Sequence, residues 1–309
     1  MHPSPIAPTR GPPLWDMPEG AHGQLDPQAQ PAPAYEQGHN DPGDSSMVSR
    51  MTSITLFSFG YWGWGNAVPQ LVEAIDAVEK SRGYAPPIFA DIRISRAVRA
   101  AGFDGNAFEK IVGPARYRWM DGLGNLAIEA GGEMRIKEPA AAGDLLNLAV
   151  EASKARRRVV YYCACQTPCR CHRYLVSNLL LEAARKRAQP VEIVEWPGGE
   201  PAAKEIAIAL PRPAFDKVRR GAASVPLPAP VDLAKMAAVP WYSLLTVRPD
   251  DDDAAPTWRL VTGPAQYKKS GWALPVYGAL DGMSAAAMRA EVMRAREDQG
   301  YRALVLAAR

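Results

Sequence analysis

The sequence has no long hydrophobic run, and this absence argues against one class of protein. No stretch of about 18 consecutive apolar residues occurs, as a membrane-spanning helix would require. The N-terminus also lacks the basic and apolar segments of a secretory signal peptide. We therefore expect a cytoplasmic protein without a membrane partner.

Net charge and cysteine are also scarce. The formal net charge is only +3 over 309 residues, which does not by itself predict a nucleic-acid partner. The four cysteines follow the spacing C-x-C-x3-C-x-C, and such near neighbours rarely reach the geometry of a disulfide bond. We therefore expect reduced thiols rather than a disulfide-stabilised secreted fold.

Basic residues do concentrate at two places, the triplets at 156–158 and 185–187, on either side of the cysteines. Cations near the C-terminal end of a helix interact favourably with its dipole. We interpret both triplets as solvated helix ends.

Composition divides the chain into four segments. The first is rich in Pro, Gly, Gln, Ser and Asp and has no apolar periodicity, so we expect a disordered tail. The methionines just before the first structured run leave open a later translation start. The second segment carries the pattern of a folded α/β domain, the third is a Pro/Ala-rich linker, and the fourth is a small α+β module. These segments span residues 1–50, 52–205, 207–238 and 240–309.

Strands alternate with helices in the second segment, which predicts a mostly parallel sheet with flanking helices. A helix should begin near Val68 and stop near Gly83, and Asp144 is a candidate N-cap for another. Buried strands are expected over Ile54–Phe59, after the prolines at 86 and 87, just before the cysteines, and over Val191–Trp196. In the fourth segment we expect strands at Leu244–Val247, Trp258–Thr262, Trp272–Tyr277 and Arg302–Leu306, with a helix from Ser284 to about Asp298.

All four cysteines lie in the run C-A-C-Q-T-P-C-R-C-H-R at residues 163–173, between an apolar strand and an amphipathic helix. The carboxyl ends of parallel strands lie along one edge of a sheet, where open α/β folds build ligand sites. The aromatic loop at 60–66 and the D-I-R segment at 91–93 follow two other predicted strands. The three segments are therefore expected to converge.

The end of the cysteine run has the features of an anion site. Cys171, His172 and Arg173 should occupy the first turn of the next helix, where free N–H groups and the dipole attract anions and lower a thiol pKa. The guanidinium groups of Arg93 and Arg173 suit bidentate binding of a phosphate or carboxylate. The alternative is an Asp91–Arg173 ion pair that only fixes the loops.

Three motifs carry a family resemblance: S-F-G-Y-W-G, A-D-I-R-x-S-R and C-H-R before a helix. Together they resemble the domain-of-unknown-function family 488 over residues 54–199. The resemblance implies an α/β fold but no particular reaction. Tyr61 stands where that family usually has a histidine, and Cys165 and Cys169 are additional. The family positions that carry over are Gly60, Asp91, Arg93, Cys163, Cys171, His172 and Arg173.

The leading hypothesis is an enzyme that acts on a nucleotide-like or other small phosphorylated substrate. A tryptophan of the aromatic loop, Trp62 or Trp64, could stack on a base, although core packing explains them equally well. The expected catalytic residues are Asp91, Cys171 and His172, and the expected anion-binding residues are Gly60, Arg93 and Arg173.

The alternative hypothesis is a non-enzymatic module that binds a metal or a nucleic acid. Sets of cysteine thiolates hold zinc and iron–sulfur clusters. Against this, C-x-C pairs constrain the backbone more than the usual C-x2-C, and the resembling family lacks two of the cysteines. The ligands would be Cys163, Cys165, Cys169 and Cys171, with His172 as a further donor.

Overall fold

The computed structural model of the chain describes residues 53–65, 67–165, 171–198, 205–241, 243–252, 256–280 and 306–308. The tail expected at 1–50, the helix expected over 284–298 and Cys169 lie outside these residues. None of the described helices combines the length and the apolar character that crossing a bilayer requires.

The described residues form α-helices and β-strands that alternate through the first half of the chain. The helices are α1 (Val68–Ser81), α2 (Ala107–Val112), α3 (Ala127–Ala130), α4 (Ala142–Lys154), α5 (His172–Lys186), α6 (Arg212–Arg219) and α7 (Leu233–Met236). The strands are β1 (Ile54–Gly60), β2 (Ala85–Asp91), β3 (Tyr117–Trp119), β4 (Arg157–Cys163), β5 (Val191–Glu195), β6 (Glu205–Leu210), β7 (Ser224–Pro226), β8 (Ser243–Pro249), β9 (Trp258–Thr262), β10 (Gln266–Lys268), β11 (Gly271–Pro275), β12 (Gly278–Ala279) and β13 (Leu306–Ala308).

The main sheet has the order β13-β5-β1-β4-β2-β3, in which β5, β1, β4, β2 and β3 are parallel and β13 is antiparallel. Helices cover both faces. Phe57 and Phe59 of β1 pack with α1 on one face, whereas Leu56 packs with α4 and α5 on the other. This two-sided burial explains why the central strands are continuous apolar runs. The predicted α/β fold is confirmed.

Two predicted boundaries in this domain are shifted. α4 begins at Ala142, so Asp144 lies in its first turn rather than at its N-cap. β2 begins at Ala85, so Pro86 and Pro87 lie inside the strand rather than before it. The pairing with β4 is irregular between Ala85 and Ile88, and β3 pairs only from Phe89 onward. The prolines therefore occupy a stretch where few ladder hydrogen bonds are needed.

Residues 207–238 are not the linker that their Pro/Ala content suggested. They contain most of β6 together with α6, β7 and α7. Phe215, Val218 and Val225 are buried in one apolar cluster with Leu245 of β8 and Leu260 of β9. Apolar residues at helical spacing in α6 outweigh the flanking prolines.

The C-terminal region builds two smaller sheets, with orders β10-β11-β7 and β12-β9-β8-β6. All their pairs are antiparallel except β6 with β8. The last strand was expected in this region, but β13 pairs with β5 at the edge of the main sheet. β13 therefore belongs to the main sheet rather than to either of the two smaller sheets.

Candidate functional site

The carboxyl ends of β1, β2 and β4 lie side by side in the main sheet. Gly60 is the register partner of Cys163, and Asp91 is the register partner of Tyr162. Cys171 is the N-cap of α5, whose first turn holds His172 and Arg173. The structure therefore brings the predicted segments to one edge of the sheet.

A cluster of thiol and imidazole groups occupies the centre of this edge. The Sγ atoms of Cys163 and Cys171 are 3.0 Å apart, and Nδ1 of His172 lies 3.7 Å from Sγ of Cys171. One ligand atom from each of these residues lies within 4.8 Å of the others, and all three side chains are buried. We call this group the cysteine–histidine cluster. Cys165 is exposed beside it, and its backbone N–H donates to Sγ of Cys163 at 3.3 Å.

The imidazole of His172 has a defined orientation. Its Nε2 lies 3.0 Å from the carbonyl oxygen of Ile92, which can only accept a hydrogen bond. Nε2 therefore donates to this carbonyl, and Nδ1 faces Sγ of Cys171. The histidine is held ready to act as a ligand or proton acceptor on the thiol side.

The two buried thiols of the cluster differ in acidity. Burial raises the pKa of Cys163 well above its ordinary value. Hydrogen bonds from Cys163 and Cys165 lower the pKa of Cys171, although burial opposes them. The backbone N–H of Arg173 also donates to Sγ of Cys171 at 3.4 Å, as expected for an anionic N-cap. Cys171 is therefore the favoured thiolate of the cluster.

Asp91 and Arg93 form a buried ion pair next to the cluster. Nε and Nη2 of Arg93 donate to the two carboxylate oxygens of Asp91 at 2.8 and 2.5 Å. Tyr117 donates its hydroxyl to Asp91 at 2.9 Å, and Nη1 of Arg93 donates to the Tyr61 hydroxyl at 3.1 Å. Burial disfavours the Arg93 cation, but its hydrogen bonds and attraction to Asp91 raise its pKa overall.

Arg173 pairs with a residue that sequence reasoning missed. Its Nη1 donates to Oε1 and Oε2 of Glu195, at the end of β5, at 2.9 and 3.3 Å. The alternative Asp91–Arg173 pair is not formed, because each of the two residues has another partner. The sequence did contain one indication of Glu195, because it places a carboxylate near the carboxyl end of the predicted strand Val191–Trp196.

Gly60 is needed because another segment crosses it. A Cβ atom at this position would lie 1.9 Å from the carbonyl oxygen of Cys165 and 3.0 Å from Nη2 of Arg173. The same Nη2 donates to the Cys165 carbonyl at 3.2 Å. Gly60 therefore allows the chain after β4 to cross the end of β1, and its expected role in anion binding stays a prediction.

The aromatic residues after β1 have separate environments. Tyr61 stacks on Phe103 with ring centroids 3.8 Å apart and is buried. Trp64 is buried against Trp272 of β11, which supports the core-packing interpretation for this residue. Trp62 is 62% exposed and is the member of the loop that remains available to a ligand.

Comparison of the chain with protein-family models, curated proteins and solved structures finds no match. The resemblance to family 488 therefore stays a prediction. The fold and site define an α/β protein with a buried cysteine–histidine cluster at the carboxyl edge of its parallel sheet.

Proposed function

We propose that the chain binds a thiophilic divalent metal ion, with zinc as the first candidate, through Cys163, Cys171 and His172. The observation that carries the proposal is the convergence of two sulfur atoms and one imidazole nitrogen within 4.8 Å. Mixed sulfur and nitrogen ligands are the donor set that zinc prefers in proteins. The proposal follows the metal alternative rather than the leading expectation from sequence.

The surroundings of the imidazole support this assignment. Metal-binding histidines usually donate their other ring N–H to a carbonyl or carboxylate, as His172 donates to Ile92. Tetrahedral coordination at zinc bond lengths puts neighbouring nitrogen and sulfur atoms about 3.5 Å apart and two sulfur atoms about 3.8 Å apart. The distance of 3.7 Å between His172 and Cys171 fits. The two sulfurs, now 3.0 Å apart, would have to separate by about 0.8 Å.

Cys165 is the best-placed candidate for a fourth ligand. It is exposed and its backbone N–H already contacts Sγ of Cys163. A site closed by Cys165 would be structural, whereas a site that leaves this position to water would retain an open coordination position for a substrate. An iron–sulfur cluster is less well supported, because those clusters ordinarily take four thiolates.

Elemental analysis of the purified full-length chain tests the proposal. We expect about one zinc ion per chain, lost in Cys171→Ser and in His172→Asn. Asn178→Ala provides a matched control, because Asn178 is exposed on the same helix. Absence of metal from the wild-type protein, even after refolding with zinc, would rule the proposal out.

A second candidate is the thiol enzyme, acting on a small phosphorylated substrate. It is favoured by one observation, the lowered pKa of Cys171 at the N-cap of α5. Arg93 and Arg173 contribute less to this candidate than expected, because both are buried and already bind carboxylates. Asp91 is likewise engaged by Arg93.

The agent that protects Cys171 from alkylation separates the two candidates, because the metal-free protein should react in both cases. In the enzyme, metal-free wild-type protein should react with iodoacetamide at Cys171 near neutral pH, and a phosphorylated substrate should slow the reaction. In the metal protein, zinc should protect Cys171 and its removal by a chelator should expose it. Peptide mass spectrometry reports which cysteine is modified.

A further inference from the structure

We propose a second site, a cavity at the amino-terminal ends of the main-sheet strands, that binds a small ligand carrying two or more phosphate groups. This cavity has a volume of about 370 Å³ and lies where β1 and β4 begin. It is independent of the cysteine–histidine cluster, which lies where the same strands end. We call it the amino-edge cavity.

Eight of the nine described residues that line the amino-edge cavity carry a cation or a hydroxyl group, and the ninth is Ile54. Of the nine described residues that line it, none is acidic and four are basic: Lys154, Arg156, Arg157 and Arg158. Hydroxyl groups come from Ser53, Thr55, Ser153 and Tyr84. Guanidinium, ammonium and hydroxyl donors around one concave surface match the acceptor oxygens of a phosphate.

The positive charge is only partly neutralised within the chain. Arg158 is paired with Glu79 through hydrogen bonds of 2.6 and 2.8 Å, and Lys154 is paired with Glu151. Arg156 and Arg157 instead donate to carbonyl oxygens. Among the described residues, these two guanidinium groups have no carboxylate within ion-pair distance, so their charges remain available to an anion.

Arg156 also adopts an unusual backbone conformation. It follows the C-cap of α4 with a φ of 52°, in the left-handed region that helix ends normally fill with glycine. Its side chain is exposed and donates one hydrogen bond within the described residues, to the carbonyl of Gly83 at 3.0 Å. A strained position that carries an arginine is consistent with a use for that side chain beyond ending the helix.

The shape of the site favours a small ligand over a nucleic acid. A concave cavity of this volume is within the size range of small-molecule sites. Nucleic-acid surfaces are usually extended basic stripes on strongly basic domains, whereas the net charge here is +3. Two adjacent arginines can each bind one phosphate group in a bidentate manner. The ligand class is therefore a diphosphate or a larger oligophosphate.

The alternative explanation is that the basic triplet at 156–158 only stabilises the end of α4 and the start of β4. A variant separates the two roles, because Arg156→Gly removes the charge while relieving the left-handed strain at this position. The double variant Arg156→Gly, Arg157→Gln removes both available guanidinium groups. Arg185→Gln is the matched control, since it removes one exposed arginine from the end of α5, away from the cavity.

Calorimetric titration of the full-length protein with pyrophosphate tests the proposal. We expect one site per chain, weakened about tenfold by Arg156→Gly, weakened further in the double variant and unchanged in Arg185→Gln. No pyrophosphate binding, equal loss in Arg185→Gln, or tighter binding of a single-stranded oligonucleotide than of pyrophosphate would each overturn it.

A measurement on the wild-type chain keeps the test valid if the double variant does not fold. Pyrophosphate should protect Arg156 from modification by phenylglyoxal, detected by peptide mass spectrometry, and should leave Arg185 equally reactive. Equal protection of both arginines, or protection of neither, would contradict a site in the amino-edge cavity.

Discussion

Single residues at the carboxyl edge have defined roles that follow from what each one touches. Gly60 provides space, Cys171 caps a helix with its sulfur, and Nδ1 of His172 faces that sulfur. Asp91 and Arg93 neutralise each other. Most of the polar groups at this edge are therefore already satisfied within the chain, and the proposed metal site depends on the sulfur atoms and the imidazole.

The role of Gly60 gives a direct prediction. Replacing Gly60 by Ala puts a methyl group 1.9 Å from a backbone carbonyl, which cannot rotate away as a side chain could. We expect Gly60→Ala to lower the free energy of unfolding by about 3 kcal/mol, as for a severe overpacking substitution. Urea denaturation followed by tryptophan fluorescence measures the change.

Gly278→Ala is the control for this substitution. Among the described residues other than its two chain neighbours, no atom lies within 4 Å of a Cβ placed at Gly278, and its φ is not in the left-handed region. Its stability should stay within about 0.5 kcal/mol of the wild type. Equal stability of the two variants would show that the chain does not cross Gly60 closely in solution.

At the scale of elements, a buried ion pair connects α5 to β5. Arg173 in the first turn of α5 is fully buried and bound to Glu195 at the end of β5. Both elements follow β4 in the chain, and β5 lies beyond β1 in the sheet. The ion pair therefore fixes the start of α5, where Cys171 and His172 of the cysteine–histidine cluster lie.

Replacing Glu195 by Gln tests how much this ion pair contributes to stability. The substitution keeps the shape of the side chain but removes the negative charge that Arg173 binds at the end of β5. We expect the free energy of unfolding to fall by about 3 kcal/mol or more. Glu192→Gln, in the same strand and half-buried, should change it by about 0.5 kcal/mol or less. Similar losses in both variants, measured by urea denaturation, would refute the special role of Glu195.

Sequence patterns predicted the elements of the main sheet better than the contacts between them. The apolar runs of β1 and β4 are diagnostic because both faces of these strands are buried. The partner of Arg173 could not be read from sequence, because it depends on strand order. In the order β5-β1-β4-β2, the end of β5 lies on one side of β4 and Asp91 on the other. Crossing from β4 to β5 brings α5 within reach of Glu195.

The prediction of a linker in the Pro/Ala-rich residues 207–238 was wrong for a different reason. Pro211 and Pro213 lie at the start of α6 and Pro226 ends β7, where the missing N–H has little cost. Pro228 and Pro230 lie between β7 and α7, so composition alone indicated a linker. Burial of Phe215 and Val218 against distant strands, which a local pattern does not show, stabilises this segment. Long-range packing decided the structure there.

At the scale of the whole molecule, the parallel sheet separates two chemical environments. One edge concentrates thiols and internally neutralised arginines, and the other concentrates arginines with available charge. Buried tyrosines lie in the sheet and in the loop that follows β1. Burial raises the pKa of four of these hydroxyls, those of Tyr61, Tyr117, Tyr161 and Tyr162.

These tyrosines predict that the fold loses stability in alkali. Burial, together with the negative charge of Asp91, raises the pKa of Tyr117 from 10 to about 12. In this interval the unfolded chain releases the proton while the folded chain retains it. Tyr117 therefore contributes its full stabilisation below pH 10 and loses it as the pH rises to 12. The loss at this one residue amounts to as much as about 2 kcal/mol.

Urea denaturation at a series of pH values, compared between the wild type and Tyr117→Phe, measures this contribution. The variant should be less stable near pH 8 because Asp91 loses a hydrogen bond, at a cost of about 1–2 kcal/mol. Phenylalanine does not ionise, so the gap between the two proteins should narrow steadily from pH 10 to pH 12. A gap that stays constant across this interval would mean that the Tyr117 hydroxyl has the same acidity in the folded and unfolded chains, and that it is not buried against Asp91.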